Sequence, residues 1–262
     1  MRIAAGIEYD GTAYNGWQRV STGIGVQTMV ERAFGQVADH PVEVTCAGRT
    51  DAGVHAIGQV VHFDTTSLRD ERSWLLGANS NLPDDVSVAW VRRAADDFHA
   101  RYSATARTYR YLILNRPVRA ALVRHRAWWV HSPLQVDPMA EGAQLLLGEH
   151  DFSAFRAAGC QSRTPVRDVT ALEVARRGDW ILFTITANAF LQHMVRNIVG
   201  LLAAVGQGDR TPMDVGRVLA SRDRRQGGIA APARGLTLVS VDYPADDELP
   251  ATARPQLMPG VE

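Results

Sequence analysis

Lysine is missing from this 262-residue chain, so every strong positive charge is an arginine. That absence removes Schiff-base catalysis and the GxxxxGK phosphate loop, and no GxGxxG follows a strand to suggest a dinucleotide site. Cysteine is nearly as scarce. Cys46 and Cys160 are too few for a disulfide framework, and neither belongs to a paired metal-ligand motif. No apolar run reaches the roughly 18 residues of a membrane-spanning helix. The start, Met1 to Gly6, soon meets Glu8 and Asp10 and has no secretory apolar region, which points to a cytoplasmic location. Net charge is absent as well, with 28 basic residues against 28 acidic ones, so bulk charge identifies no polyanionic partner. With 46% hydrophobic and 21% charged residues, the composition is that of a soluble globular chain, one large domain or two of ordinary size.

Hydrophobic periodicity supplies the elements. Residues 2 to 9 read as a strand that ends at the turn signal Tyr9-Asp10-Gly11-Thr12. A polar loop follows, in which Tyr14, Trp17, Gln18 and Arg19 combine aromatic, amide and guanidinium groups suited to stacking on bases and binding phosphates. Val26 to Ala38 has helical spacing. Strands to Cys46 and from Gly58 to Phe63, a helix over 69–79 stopped by Asn79-Ser80-Asn81-Leu82-Pro83, and a strand over Val86 to Val91 complete a βαββαβ order. The order then restarts, with strands at 108–114, 169–174, 181–187 and 236–241 and helices at 138–147 and 190–205. Residues 222–235 read as an insertion-like loop. The expected fold is α+β, built from two βαββαβ-like halves that share an extended, mainly antiparallel sheet with helices on one face. The expected domains are 1–105 and 106–245, with a tail over 246–262.

Charge is local rather than global. Arg92, Arg93, Arg101, Arg107, Arg110, Arg116, Arg119, Arg124 and Arg126 face only Asp96 and Asp97 in that segment, interleaved with Tyr102, Tyr109, Tyr111 and His125. This is the composition of a surface for single-stranded or stem-loop RNA. The segment joins the two halves, where a basic cleft is expected.

One stretch, Cys46-Ala47-Gly48-Arg49-Thr50-Asp51-Ala52-Gly53-Val54-His55-Ala56, puts an Arg and an Asp between two glycines, with valine-rich strands on either side. A carboxylate on such a turn can be a nucleophile, a general base or a metal ligand, and Arg49 can pair with it or bind a phosphate. An ordinary surface turn with an ion pair fits the residue types equally well. His55, His62, Asp51 and Asp64 show no metal-binding spacing, so no metal is expected. His193 and Arg196 share a face of the later helix, where Arg196 needs an acidic partner.

The motifs Tyr9-Asp10-Gly11-Thr12, Gly16-Trp17-Gln18 and Gly48-Arg49-Thr50-Asp51-Ala52-Gly53-Val54-His55 resemble those of the tRNA pseudouridine synthase A family. So do Ser103-Ala104-Thr105-Ala106-Arg107 with Tyr109-Arg110-Tyr111, Cys160-Gln161-Ser162-Arg163-Thr164-Pro165, Asn188-Ala189-Phe190 with His193-Met194-Val195-Arg196-Asn197-Ile198-Val199-Gly200, and Ala231-Pro232-Ala233 with Gly235-Leu236. The resemblance spans nearly the whole chain. It implies conversion of uridine to pseudouridine on the 3′ side of the tRNA anticodon stem-loop, at positions 38, 39 and 40, without metal or redox cofactor. By the same resemblance Asp51 is the catalytic carboxylate, Arg196 pairs with it and keeps it ionised, and Tyr109 packs on the uracil and is placed to take the C5 proton. Leu236 closes the other side of the base. Arg49, Trp17, Gln18, Arg107, Arg110 and His193 are the further substrate contacts, and two chains form a homodimer that grips one tRNA. Val20 to Gly25 departs from the family, which often carries another Gln there. A non-catalytic RNA-binding or RNA-folding protein and a metal-dependent nucleotide hydrolase are the competing classes.

Overall fold

A computed structural model describes residues 1–247, 249 and 250; the expected tail beyond them lies outside the described residues. Its elements begin with β1 (Arg2–Tyr9), α1 (Val26–Ala38), β2 (Thr45–Cys46), β3 (His55–Asp64), α2 (Glu71–Asn81) and β4 (Val86–Ala94). They continue with β5 (Ala106–Asn115), β6 (Trp128–Val130), α3 (Val136–Gln144), β7 (Gly148–Asp151), β8 (Val166–Arg177) and β9 (Trp180–Ala187). Last come α4 (Met194–Gln207), α5 (Pro212–Ser221) and β10 (Leu236–Asp242). The class is α+β, with mainly antiparallel pairing, while β3 with β10 and β5 with β6 pair parallel.

The chain divides into two compact units, Met1–Arg107 together with the segment from Thr237, and Thr108–Leu236. In the first unit the strand order is β4-β1-β3-β10. One edge of β3 takes β1 antiparallel, while its other edge is shared by β10 at His55 and Ala56 and β2 at Val61 and His62. The final strand, expected to close the second half, therefore groups with the first. Helices α1 and α2 pack on each other. Their junction with the sheet is aromatic: Phe34 of α1 lies 4.6 Å from Phe63 of β3 and 6.2 Å from Trp74 of α2 between ring centres. All three rings are at most 1% exposed, and each such burial contributes about 2 kcal/mol. In the second unit the order is β5-β9-β8-β7, with β6 on β5, and α3 packs against α4, α5 and β8.

Caps explain where elements depart from their expected ends. The helix expected over 69–79 starts at Glu71 because the Asp70 carboxylate accepts the Ser73 N–H at 2.6 Å. It runs on to Asn81 because Asn79, Ser80 and Asn81 turn their side chains back to the carbonyls four residues earlier, which satisfies acceptors that the breaker composition would leave open. The helix expected from Phe190 begins only at Met194, since His193 takes a left-handed conformation with φ 63°. Helix α5 was not expected. Its signal is local, a Thr211 to Asp214 capping box with Pro212 at the first helical position.

The histidines of the first unit are structural. His62 is 6% exposed; its Nδ1 accepts the Ala100 N–H at 3.0 Å, and its ring stands 4.7 Å from that of His99. Burial, then the neighbouring His99 and Arg2, push it down from 6.5 to about 4. The unfolded chain thus binds a proton that the folded chain refuses, and stability falls as pH drops from 6.5 towards 4, with no effect above that window. The expected outcome is a shallower loss of denaturant midpoint across this window in His62→Asn, which keeps an acceptor for Ala100 but cannot titrate. Equal slopes for the two proteins would remove His62 from the acid response.

Candidate active site

The turn Gly48–Val54 joins β2 to β3 and has no regular structure of its own. It is shaped by a second loop, Asp10–Gly25, laid along it. The buried Tyr9 hydroxyl meets the Thr50 hydroxyl at 2.7 Å. The Trp17 N–H donates to the Thr50 carbonyl at 3.0 Å, and the Gly53 N–H donates to the Tyr14 carbonyl at 3.3 Å. The Val54 N–H closes the turn onto the Asp51 carbonyl at 3.1 Å. Two glycines permit this approach. A Cβ on Gly11 would stand 2.0 Å from the Val54 oxygen, and one on Gly16, whose φ is +96°, would stand 2.7 Å from the Thr50 oxygen.

The base of the turn is fixed as firmly. The fully buried Gln59 amide donates to the Gly48 carbonyl at 2.6 Å and accepts the Gly48 N–H at 3.4 Å. Arg107 donates to the carbonyls of Ala47, Ala104 and Arg101 at 3.1, 3.0 and 2.6 Å. His55 Nδ1 lies 3.1 Å from the Gly11 N–H and 3.1 Å from an Asp10 carboxylate oxygen. The turn therefore presents Asp51 half-buried and Arg49 exposed, from a backbone held at both ends and in the middle. Burial pushes the Cys46 thiol up to about 12, which leaves no thiolate beside the turn. Three of the four residues weighed against a metal site have separate partners: His55 and His62 as described, and Asp64 in a 2.8 Å ion pair with Arg2. Among the described residues no three His, Cys, Asp or Glu side chains gather as a metal site.

Two expected substrate contacts need correction. Trp17 is 1% exposed and packs 5.8 Å from the Tyr9 ring. Its ring is core, and what it offers the site is its backbone N–H. Arg107 is 8% exposed with its guanidinium among backbone carbonyls, so it braces the turn and presents no surface to a phosphate. Gln18 is exposed on the same loop. The residues missed by sequence reading are the bracing ones, Tyr9, Thr50 and Gln59. The last carried a signal, a lone amide beside the apolar pair Val60 and Val61 in a strand.

The second unit carries the other expected residues. Tyr109, on β5, is 7% exposed and meets Phe190 edge-on at 5.1 Å. Arg110 beside it is half-buried, its Nε without an acceptor. Arg196 lies in the first turn of α4; its Nε donates to the Ala231 carbonyl at 2.8 Å, and the Ala231 N–H returns to the Arg196 carbonyl at 2.9 Å. His193 sits half-buried at the start of α4. Leu236 is 5% exposed, directly after the short 3-10 helix Ala233–Gly235. The Cys160 loop docks beside the same helix start through the Ala157 N–H to the Gln192 carbonyl, at 3.0 Å.

Gly16→Ala tests the clamp on the turn. A methyl cannot occupy its place without moving the Thr50 carbonyl, and the positive φ adds strain, together costing about 1–3 kcal/mol. Gly216→Ala on α5, where a Cβ meets Leu145 at an ordinary 3.5 Å, is the control. A lower unfolding midpoint is expected for the first substitution and an unchanged or higher one for the second, read by denaturant titration.

A family model described as tRNA pseudouridine synthase matches residues 5–103 and 143–244. A protein of Methylococcus capsulatus named tRNA pseudouridine synthase A is 57% identical over 97% of both chains. Its namesake in Coxiella burnetii is 54% identical over 95% of both chains, and that of Aeromonas hydrophila is 55% identical over 95% of this chain and 93% of the other. Identity above one half, sustained over at least 95% of this chain in all three, leaves one assignment: the chain belongs to the tRNA pseudouridine synthase family.

Proposed function

We propose that this chain isomerises uridine to pseudouridine at positions 38, 39 and 40 of the tRNA anticodon stem-loop, with Asp51 as the catalytic carboxylate. The observation that carries this reading is the turn itself. The Asp of the family motif stands on a backbone braced by Thr50, Gly16 and Gln59, in a chain 57% identical to a tRNA pseudouridine synthase A.

The chemistry is balanced within the nucleotide. The C1′–N1 bond breaks and a C1′–C5 bond forms; C5 loses a proton and N1 gains one. Nothing is oxidised or reduced, so the demand on the protein is to hold the sugar while uracil turns over. A carboxylate does this by attacking C1′ or by taking a sugar proton to leave a glycal. Arg196 is assigned as the counter-charge of Asp51. Its Nε bond to Ala231 fixes the plane of a guanidinium suited to a carboxylate. Tyr109, with its ring plane set by Phe190, stacks on the uracil and takes the C5 proton, and Leu236 covers the opposite face. A flipped base held this way is shielded from water, which strengthens each polar contact.

RNA contacts fall to exposed or half-buried groups: Arg49, Gln18, Arg110 and His193. Arg119, Arg124 and Arg126, exposed on the loop between β5 and β6, belong with them. We assign a homodimer that grips tRNA and a cytoplasmic location to the same reading.

Purified protein without added metal is expected to release tritium from tRNA labelled at uridine C5. Asp51→Asn should abolish release while tRNA affinity stays within about twofold. Continued release by that variant would end the assignment, and loss of release together with binding would point to RNA recognition instead. Arg196→Met is expected to lower kcat by on the order of 10²-fold; a variant with wild-type kcat would remove the counter-charge role.

A further inference from the structure

The segment between α5 and β10 looks in sequence like a loose insertion, yet its backbone is tied down at successive points. Arg224 donates to the Gly228 carbonyl at 2.9 Å and, through its other terminal nitrogen, to the Asn197 side chain at 2.8 Å. Asn197, fully buried on α4, passes the tie to the Phe155 carbonyl at 2.7 Å. One residue on, the Ile229 carbonyl lies against the surface of α4 at Gly200, where a Cβ would stand only 1.9 Å from that oxygen. Ala231 then exchanges two hydrogen bonds with Arg196. The Tyr111 hydroxyl donates to the Pro232 carbonyl at 2.7 Å, and Gly235 fits against the same ring, leaving 2.6 Å for a Cβ. The next residue is Leu236.

We infer that Gly228–Gly235 is a latched strap that sets two groups of the reaction together, the Leu236 wall and the Arg196 guanidinium, and that Gly200 and Tyr111 are its positioning residues. The inference rests on the roles proposed above for Leu236 and Arg196. The strap reaches Leu236 through the covalent chain and Arg196 through paired hydrogen bonds, so its displacement moves both. Gly200 sets how near α4 the strap can lie, and Tyr111 fixes its far end. Neither residue needs to touch RNA, and their loss should act on turnover rather than on binding.

Gly200→Ala and Tyr111→Phe separate this from a general loss of fold, the second by deleting a single hydroxyl. Trypsin reads the strap directly, since the bond after Arg234 can be cut only when the segment lifts from α4 and β5. The expected result is faster cleavage after Arg234 in both variants, with unchanged circular dichroism. Turnover should fall on the order of 10²-fold for Gly200→Ala, the scale of a small misplacement of reacting groups, and about tenfold for Tyr111→Phe, with tRNA affinity within about twofold. The double variant should lose less than the product of the two, because both release the same segment. Unchanged cleavage in both variants, or faster cleavage with wild-type turnover, would overturn the inference. If wild-type protein released no C5 hydrogen, the reading of the reaction would fall, while the proteolysis, which needs no substrate, would still show whether the latch exists.

Discussion

The position of Asp51 depends on one close approach, between the backbone of the Gly11–Trp17 loop and the backbone of the Thr50–Val54 turn. Side-chain contacts would leave the carboxylate at the end of several rotatable bonds. Here the neighbouring carbonyls and N–H groups are paired directly, through Trp17 to Thr50 and Gly53 to Tyr14, and the Tyr9 and Thr50 hydroxyls lock together beneath them. The price is a demand for glycine at two points, since any Cβ at Gly11 or Gly16 would collide with a carbonyl that cannot move alone. Preorganisation of this kind meets the cost of ordering the turn during folding rather than at the moment of reaction.

The second unit uses the same device at another site. Gly200 on α4 and Gly235 before β10 let an irregular segment lie flat against a helix and an aromatic ring, and hydrogen bonds from Arg196, Arg224 and Tyr111 hold it there. Irregular backbone of this sort is expensive to bury unless its polar groups are met. In this segment the carbonyls of Gly228, Ala231 and Pro232 are met by side chains and the Ala231 N–H by the Arg196 carbonyl, rather than by a ladder. Gly11, Gly16 and Gly200 thus each mark a close contact with a backbone carbonyl, and Gly235 one with an aromatic ring.

Much of this was legible in the sequence. Helix α1 occupies Val26–Ala38 as its periodicity predicted, the βαββαβ order of the first half holds, and the glycine-bracketed turn stands between two strands. Three differences from expectation have different causes. Aromatic and guanidinium groups such as Trp17 and Arg107 suit RNA by composition, but exposure is a tertiary property and both side chains are covered by the fold. β10 follows the second half in sequence and yet pairs with β3 at His55, a contact made across most of the chain that no local pattern encodes. Helix starts at His193 and Asp70 were set by caps, one left-handed residue and one carboxylate, which outweigh the hydrophobic spacing on which the expectations rested.

The lack of lysine takes on a different meaning once the arginines are sorted by what they touch. Several are carbonyl clamps. Arg107 holds three backbone oxygens, Arg156 holds those of Cys160 and Ser162, and Arg176 reaches both Asn115 and the Leu134 carbonyl. Arg167, 7% exposed, holds the Thr164 and Val166 carbonyls and the Ser162 hydroxyl, and burial pulls its proton affinity down. A planar fork with five donors can join several acceptors at once and stay charged; an ammonium on a flexible stem does this poorly and loses its proton when buried. Of these, Arg107 and Arg167 are buried as well, so a formal balance of 28 against 28 counts cations that are withheld from the surface. The surface available to a polyanion is set by the remaining exposed arginines, and their concentration between Arg119 and Arg126, where no acidic residue occurs, says more about binding than the net charge of zero does.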